Sequence, residues 1–197
     1  MKERIKVTIK DTKKCLLWCF VMVKGFMEDL KKAKRGERIV LEVLRSATRD
    51  FTFDDVSDCE ECFHKGDIVI HDPFWSSDYY IDVKDDGCIS STGNLLAEHR
   101  VWYKDTGWCE GFMQNSNYDF VAYLSQPDKK IYILDFPLWQ RYYQKHFKNH
   151  IFIPHGGEQT TDAFLMPLNK ARKLDIVICE LDYDYDEERG YFHVKTS

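Results

Sequence analysis

Apolar and polar residues alternate with two periods along this chain, and the change from one period to the other marks the elements. From Glu37 onward, Ile39, Val40, Leu41, Val43, Leu44 and Ala47 fall on one broad arc at about 100° per residue, which predicts an amphipathic helix. Glu37 lies inside that arc and Glu42 opposite it, so one carboxylate is aimed at the interior. Such an acid costs free energy unless a partner or a metal compensates it. Upstream, residues 11–34 read as another helix, with a crowded apolar stretch from Cys15 to Val23 and then the basic run Lys31, Lys32, Lys34 and Arg35. Gly36 is expected to break it.

Further on the period shortens. Residues 67–71 (DIVIH) and 78–84 (DYYIDVK) are rich in β-branched and aromatic types, and the turn residues Asp72-Pro73 and Ser76-Ser77 between them predict adjacent antiparallel strands. A third strand is expected from Leu95 to Trp102, after a loop holding Gly87 and Thr92-Gly93-Asn94. Tyr118 to Ser125 and Lys130 to Asp135 flank Gln126-Pro127-Asp128-Lys129 as a hairpin. A helix starts near Pro137, a residue favoured in a first turn, and carries Leu138 to Asn149. A strand from Leu174 to Leu181, an acidic loop from Asp182 to Glu188 and a strand from Tyr191 to Lys195 complete the reading. The elements predict one α/β domain over residues 1–197, with a mixed central sheet flanked by helices and extra C-terminal strands. Residues 36–135 form its core, 1–35 an N-terminal helix, and 136–197 a C-terminal helix and strands.

Composition agrees with an ordered domain: 197 residues, 44% hydrophobic, support one substantial core rather than two. The apolar run from Cys15 to Val23 falls far short of a bilayer span, and no small-residue cleavage site follows it, so neither membrane insertion nor secretion is expected. Seven scattered cysteines, an odd number, fit reduced thiols, and the expected location is the cytoplasm. The net charge of −5 argues against a nucleic-acid partner only at first sight. Asp182, Asp184, Asp186, Glu187 and Glu188 account for it by themselves, and phosphate binding depends on where positive charge lies.

The chemistry gathers on the predicted strand pair. Side chains two apart share a face, so Asp82 and Lys84 stand together opposite Ile81 and Val83, with Asp67 at the start of the neighbouring strand able to join them. Hydrolysing a phosphodiester with Mg²⁺ or Mn²⁺ requires hard oxygen ligands and a group to position the attacking water. Asp67 and Asp82 are the expected ligands, helped by the Val83 carbonyl, and Lys84 is expected to orient or activate the water and to stabilise phosphate charge. Glu37 would be a further ligand, or act through water.

The order of Glu37 on a helix, Gly66-Asp67 opening a strand, and Asp82-x-Lys84 on the next resembles the PD-(D/E)XK nuclease superfamily, especially its Holliday-junction-resolvase-like and restriction-endonuclease-like members. The segment Gly36-Glu37-Arg38 is similar to the first motif of those resolvases. The resemblance covers about residues 36–135. It implies a restriction-endonuclease-like fold, metal binding by Glu37, Asp67 and Asp82, a catalytic Lys84, a nucleic-acid substrate, DNA before RNA, and a homodimer. Gly66 stands where the motif has Pro, and Glu98 is an extra carboxylate of unassigned role.

Plainer readings stand beside these. An Asp-x-Lys on a strand is commonly a surface ion pair, and Glu37 can serve simply as a helix N-terminal carboxylate. Cys59-x-x-Cys62 with His64 offers a rival zinc site that Cys88 or Cys109 would have to complete. On the helix after Pro137, Arg141, Lys145, Lys148 and Tyr142 are candidates for a nucleic-acid-binding face, or else for a solvated amphipathic surface. His155-Gly156-Gly157 is too short to be a phosphate loop. The alternatives to a nuclease are therefore an inactive nuclease-like binding domain and a zinc-stabilised interaction module.

Overall fold

The computed structural model describes residues 30–59, 65–75, 77–155 and 159–195. The chain divides into two compact units, residues 1–35 and 36–197. Of the first unit, residues 30–35 are described and are helical; the apolar stretch from Cys15 to Val23 lies outside the described residues, as do Cys62, His64, Gly156 and Gly157. No helix among the described residues is long and apolar enough to cross a membrane.

In the second unit, α1 (residues 36–47) presents most of the predicted arc: Ile39, Val40, Leu41, Val43 and Leu44 are buried, while Ala47 in its last turn is exposed. Helical backbone continues through Gly36, so the expected break does not occur. A Cβ at Gly36 would stand 3.3 Å from the Asp85 side chain and 3.6 Å from Leu124, so glycine here permits a close approach between helix and sheet. Glu42 accepts from the Phe192 amide at 2.7 Å and pairs with Arg38, tying α1 to the C-terminal end of the sheet.

Strands β1 (Thr52–Asp55), β2 (Ile68–Asp72), β3 (Ser77–Asp85), β6 (Phe120–Ser125), β7 (Lys130–Asp135), β10 (Val177–Asp186) and β11 (Tyr191–Val194) form a seven-stranded sheet in the order β1-β2-β3-β6-β7-β10-β11. Its pairs are antiparallel except β3 with β6. A parallel pair needs a long crossover. Here it carries α2 (Ile89–Thr92), β4 (Asn94–Tyr103), β5 (Gly107–Glu110) and α3 (Phe112–Asn115). The third predicted strand therefore forms as β4, but in a separate antiparallel sheet of order β5-β4-β9-β8 with β8 (Ile151–His155) and β9 (Gln159–Pro167).

Strict alternation on β6 and β7 sorts the core into two layers. Ala122, Leu124, Ile131 and Ile133 meet α1 with Ile68 and Ile81. Val121, Tyr123, Tyr132 and Leu134 face the opposite way, onto Phe136, Trp139 and Tyr143 of α4 (Phe136–His146) and onto Leu95, Ala97, Phe164 and Met166 of the second sheet. The mixed α/β architecture, with a mixed sheet covered by helices and extended by C-terminal strands, is thus as expected. Helix α4 begins where Pro137 predicts it, with Asp135 accepting from the Leu138 amide at 2.7 Å, and ends in a 3₁₀ turn at Phe147–Asn149.

Two C-terminal expectations change. The acidic loop is mostly strand: Asp182, Asp184 and Asp186 lie on β10, where Asp182 pairs with Lys130 at 3.1 Å and Asp184 with Lys129 at 2.7 Å. The strand expected from Leu174 begins at Val177, because residues 168–173 form a short helix, α5 (Leu168–Lys173).

Candidate functional site

The strand pair delivers Asp67, Asp82 and Lys84 to one place. The Asp67 amide donates to the Ile81 carbonyl at 2.8 Å, which extends the β2–β3 register and sets Asp67 opposite Asp82. Gly66 makes this approach possible. Its φ is +122°, and a Cβ there would lie 2.5 Å from the Ile81 oxygen, so a side chain would collide with the β3 backbone. Asp67 Oδ2 then accepts from the Val83 amide at 2.8 Å. Because the N–H and C=O of a strand residue leave the same edge, the Val83 carbonyl issues beside Asp67.

Ile81 and Val83 pack toward α1, so Asp82 and Lys84 point to the other face of the sheet. Asp82 is buried, and Lys84 Nζ meets its Oδ2 at 2.8 Å. The ammonium also sits over the Phe112 ring, 4.8 Å from its centroid, while the buried Tyr118 lies close enough to Asp82 to feel its charge. Phe112 and Tyr118 were not legible as site residues. Tyr118 reads as one more aromatic at a strand start, and Phe112 lies on a helix of four residues, too short to show a period.

The carboxylates sense one another. Burial, reinforced by the nearby charge of Asp82 and then of Glu37, pushes the Asp67 carboxyl up to about 6, despite the Val83 amide and Lys84 pulling the other way. Glu37, half-buried on α1, is therefore close enough to the pair to act on it. Burial works against the charge on Lys84, but Asp82 outweighs it and holds the amine above its ordinary value. Tyr118 is pushed up to about 12 by burial and by Asp82, so it stays a neutral donor.

Among the described residues, no three His, Cys, Asp or Glu side chains gather as a complete metal-ligand set. The donors nonetheless suit a hard divalent cation. Two adjacent carboxylates, a third within electrostatic range and a backbone carbonyl are all oxygen, and a cation would offset both the burial and the neighbouring charge that raise Asp67.

The other expected residues lie as follows. Arg141, Lys145 and Lys148 are exposed on and just beyond α4. Tyr142 is half-buried, stacked on His146 at 4.1 Å and covered by Lys170 at 5.1 Å. Glu98 is half-buried on β4, at the edge of a register shift between Glu98 and Arg100. Cys59, Cys88 and Cys109 are exposed. A polar cluster with no signal in the sequence surrounds Asp162 on β9: fully buried, it accepts from Arg100 Nε at 2.8 Å and pairs with His150 Nδ1 at 2.5 Å.

No family model matches this sequence, and no curated protein does. Among solved structures, that of a bacterial homing endonuclease, I-Ssp6803I, is similar over 66% of this chain and 74% of its own, with 11% sequence identity and a TM-score of 0.41. What the site can do follows from its own residues.

Proposed function

We propose that this chain is a divalent-metal-dependent nuclease of the PD-(D/E)XK type, acting on nucleic acid, DNA before RNA. The supporting observation is the meeting of Asp67, Asp82 and Lys84 at the end of one strand pair, with Asp67 pushed up to about 6 by burial and then by the charge of Asp82. Asp67 and Asp82 would hold Mg²⁺ or Mn²⁺ with the Val83 carbonyl, and Glu37 would bind directly or through water. When bound, the ion supplies Lewis-acid activation of the phosphate and a more acidic water.

The chain's own groups do the rest. Lys84 is held charged, so its work is to orient the attacking water and to stabilise phosphate charge rather than to take a proton. Tyr118, kept protonated, places an uncharged hydroxyl beside Asp82. Phe112 covers the ammonium from one side and keeps it pointed at Asp82.

One observation favours a second reading, a nuclease-like domain that binds nucleic acid without cutting: among the described residues no complete three-ligand set stands ready, and Lys84 already neutralises Asp82. The two separate in a cleavage assay. End-labelled single-stranded, duplex and branched DNA, with RNA counterparts, is incubated with Mg²⁺ or Mn²⁺ and the intact chain, Asp82→Ala or Lys84→Ala. The nuclease reading expects cleavage that depends on the cation and falls at least about a hundredfold in both variants. Cleavage equal in all three proteins would remove the assignment. Binding without cleavage on any substrate would establish the second reading.

A further inference from the structure

Beside the site, β4, α3, α4 and the turn that follows it line an open cavity of about 430 Å³ walled by His99, Gln114, Gln140, Tyr143, Gln144 and Phe147, within the size range of small-molecule sites. Its construction is specific. The register shift between Glu98 and Arg100 makes His99 the extra residue of a β-bulge, a device that re-aims a side chain. The His99 carbonyl takes two hydrogen bonds from the α3 segment, from the Gly111 amide at 2.7 Å and from Gln114 Nε2 at 2.7 Å. Gly111 allows this contact, since a Cβ there would stand 2.5 Å from the Glu98 oxygen.

The walls present the groups that a planar heterocycle needs. Phe147 and Tyr143 flank the His99 ring, with centroids 5.5 and 6.0 Å away, and Phe147 is 40% exposed. The Tyr143 hydroxyl bonds to His99 Nδ1. Burial, then the charge of Asp162, pushes Tyr143 up to about 12, whereas burial holds His99 below its ordinary value. The phenol therefore donates, and the neutral imidazole keeps its proton on Nε2 as a donor. Gln140 Nε2 donates to the Met113 carbonyl at 3.0 Å, which, like the Gln114 bond, fixes an amide with its oxygen left to accept. Fixed donors and acceptors between aromatic walls match the edge and faces of a nucleobase.

Two neighbours tie the cavity to a nucleic-acid strand. Gln140, Gln144 and Phe147 follow one another at helical spacing, and Arg141, Lys145 and Lys148 form the next row around the axis, so a basic ridge borders the cavity. On the other side, Phe112 lies over Lys84 and is followed directly by Met113 and Gln114 of the cavity wall. We infer that this cavity takes one nucleobase turned out of its strand, with the strand's phosphates along Arg141, Lys145 and Lys148, so that an unstacked nucleotide is what reaches the Asp67, Asp82 and Lys84 site. The inference rests on the nuclease reading for its substrate and extends it to how that substrate is held. Extruding a base is cheapest where the strand is single or mismatched, which points to substrates of that kind.

The test is binding in EDTA, where no cleavage occurs. Fluorescence anisotropy measures the affinity of a labelled single-stranded oligodeoxynucleotide, and of the same length made wholly of abasic residues, for the intact chain, Phe147→Ala and Gln144→Ala. Both side chains are exposed, so truncation leaves the core intact. Loss of base stacking at Phe147 is expected to weaken binding of the intact strand about tenfold and to leave the abasic strand unaffected. Gln144→Ala should act in the same direction, more weakly. Equal weakening of both strands, or none in either variant, would overturn the inference. Full competition by a free nucleoside monophosphate at matched concentration would overturn the commitment to a strand. Failure of the intact chain to cut in Mg²⁺ would count against the metal site alone, and base-independent binding by a chain that cuts would count against the cavity alone.

Discussion

Replacing Asp67 by Asn should make the metal-free protein more stable, by an amount that depends on pH in a defined direction. In the unfolded chain the carboxyl ionises at its ordinary 3.8, whereas in the folded chain it does so at about 6. The folded state therefore binds the proton more tightly, and ionisation costs folding free energy. Above about pH 6 that cost is complete, about 3 kcal/mol at about 1.4 kcal/mol per pH unit. It shrinks as the pH falls through 6 and is gone below 3.8, where both states are protonated. Asn keeps an oxygen for the Val83 amide and carries no charge. Urea unfolding in EDTA should thus find Asp67→Asn more stable than the parent by about 2 to 3 kcal/mol near pH 8, and nearly equal to it near pH 4. A variant that is less stable at both pH values, or whose advantage does not depend on pH, would refute the claim that Asp67 is held ionised against burial and the charge of Asp82. A gain in stability that costs cleavage is the trade expected of a strained site.

Gly66→Ala forces a Cβ against the Ile81 carbonyl at a positive φ, and should cost about 2 to 3 kcal/mol in urea unfolding, whereas Gly87→Ala, with open space around it, should cost far less. Tyr118→Phe removes the uncharged hydroxyl beside Asp82 and should lower cleavage by about tenfold; unchanged cleavage would remove Tyr118 from the site. Asp162→Ala removes the partner of the partly exposed Arg100 and His150 and should cost about 1.5 to 3 kcal/mol at neutral pH. Burial opposes the Asp162 charge, but bonds from His150 and Arg100 outweigh it and hold its folded value below 3.8. The parent's advantage over the variant is therefore present above 3.8 and is lost as the pH falls through the depressed value.

Much of the central sheet was legible, and its physical reasons explain what was not. Alternation and turn chemistry specify β2 with β3 and β6 with β7, because each pair is local and has one continuous apolar face. Gly36 misled because its effect on helix propensity is small beside the contact it allows with Asp85 and Leu124. The acids of β10 resembled a loop because nothing local shows that Lys129 and Lys130 of a distant turn and strand would pair with them. β9 hides for a similar reason. It buries Thr161 and Asp162, and the partners of Asp162 come from β4 and from His150, so its pattern does not read as a core strand. At the site, spacing alone identifies Asp82 with Lys84, and register brings Asp67 beside them. Phe112, Tyr118 and the His99 cavity depend on a crossover that takes β4 and β5 into another sheet, and no local pattern records that path.

The most direct test of the central claim is binding of Mn²⁺, followed by electron paramagnetic resonance and calorimetry on the intact chain, Asp67→Asn and Asp82→Asn. One ion per chain, lost in either variant while circular dichroism shows the fold retained, is the result the paired acids predict. Mn²⁺ bound equally by all three proteins, or by none, would contradict a metal site at Asp67 and Asp82.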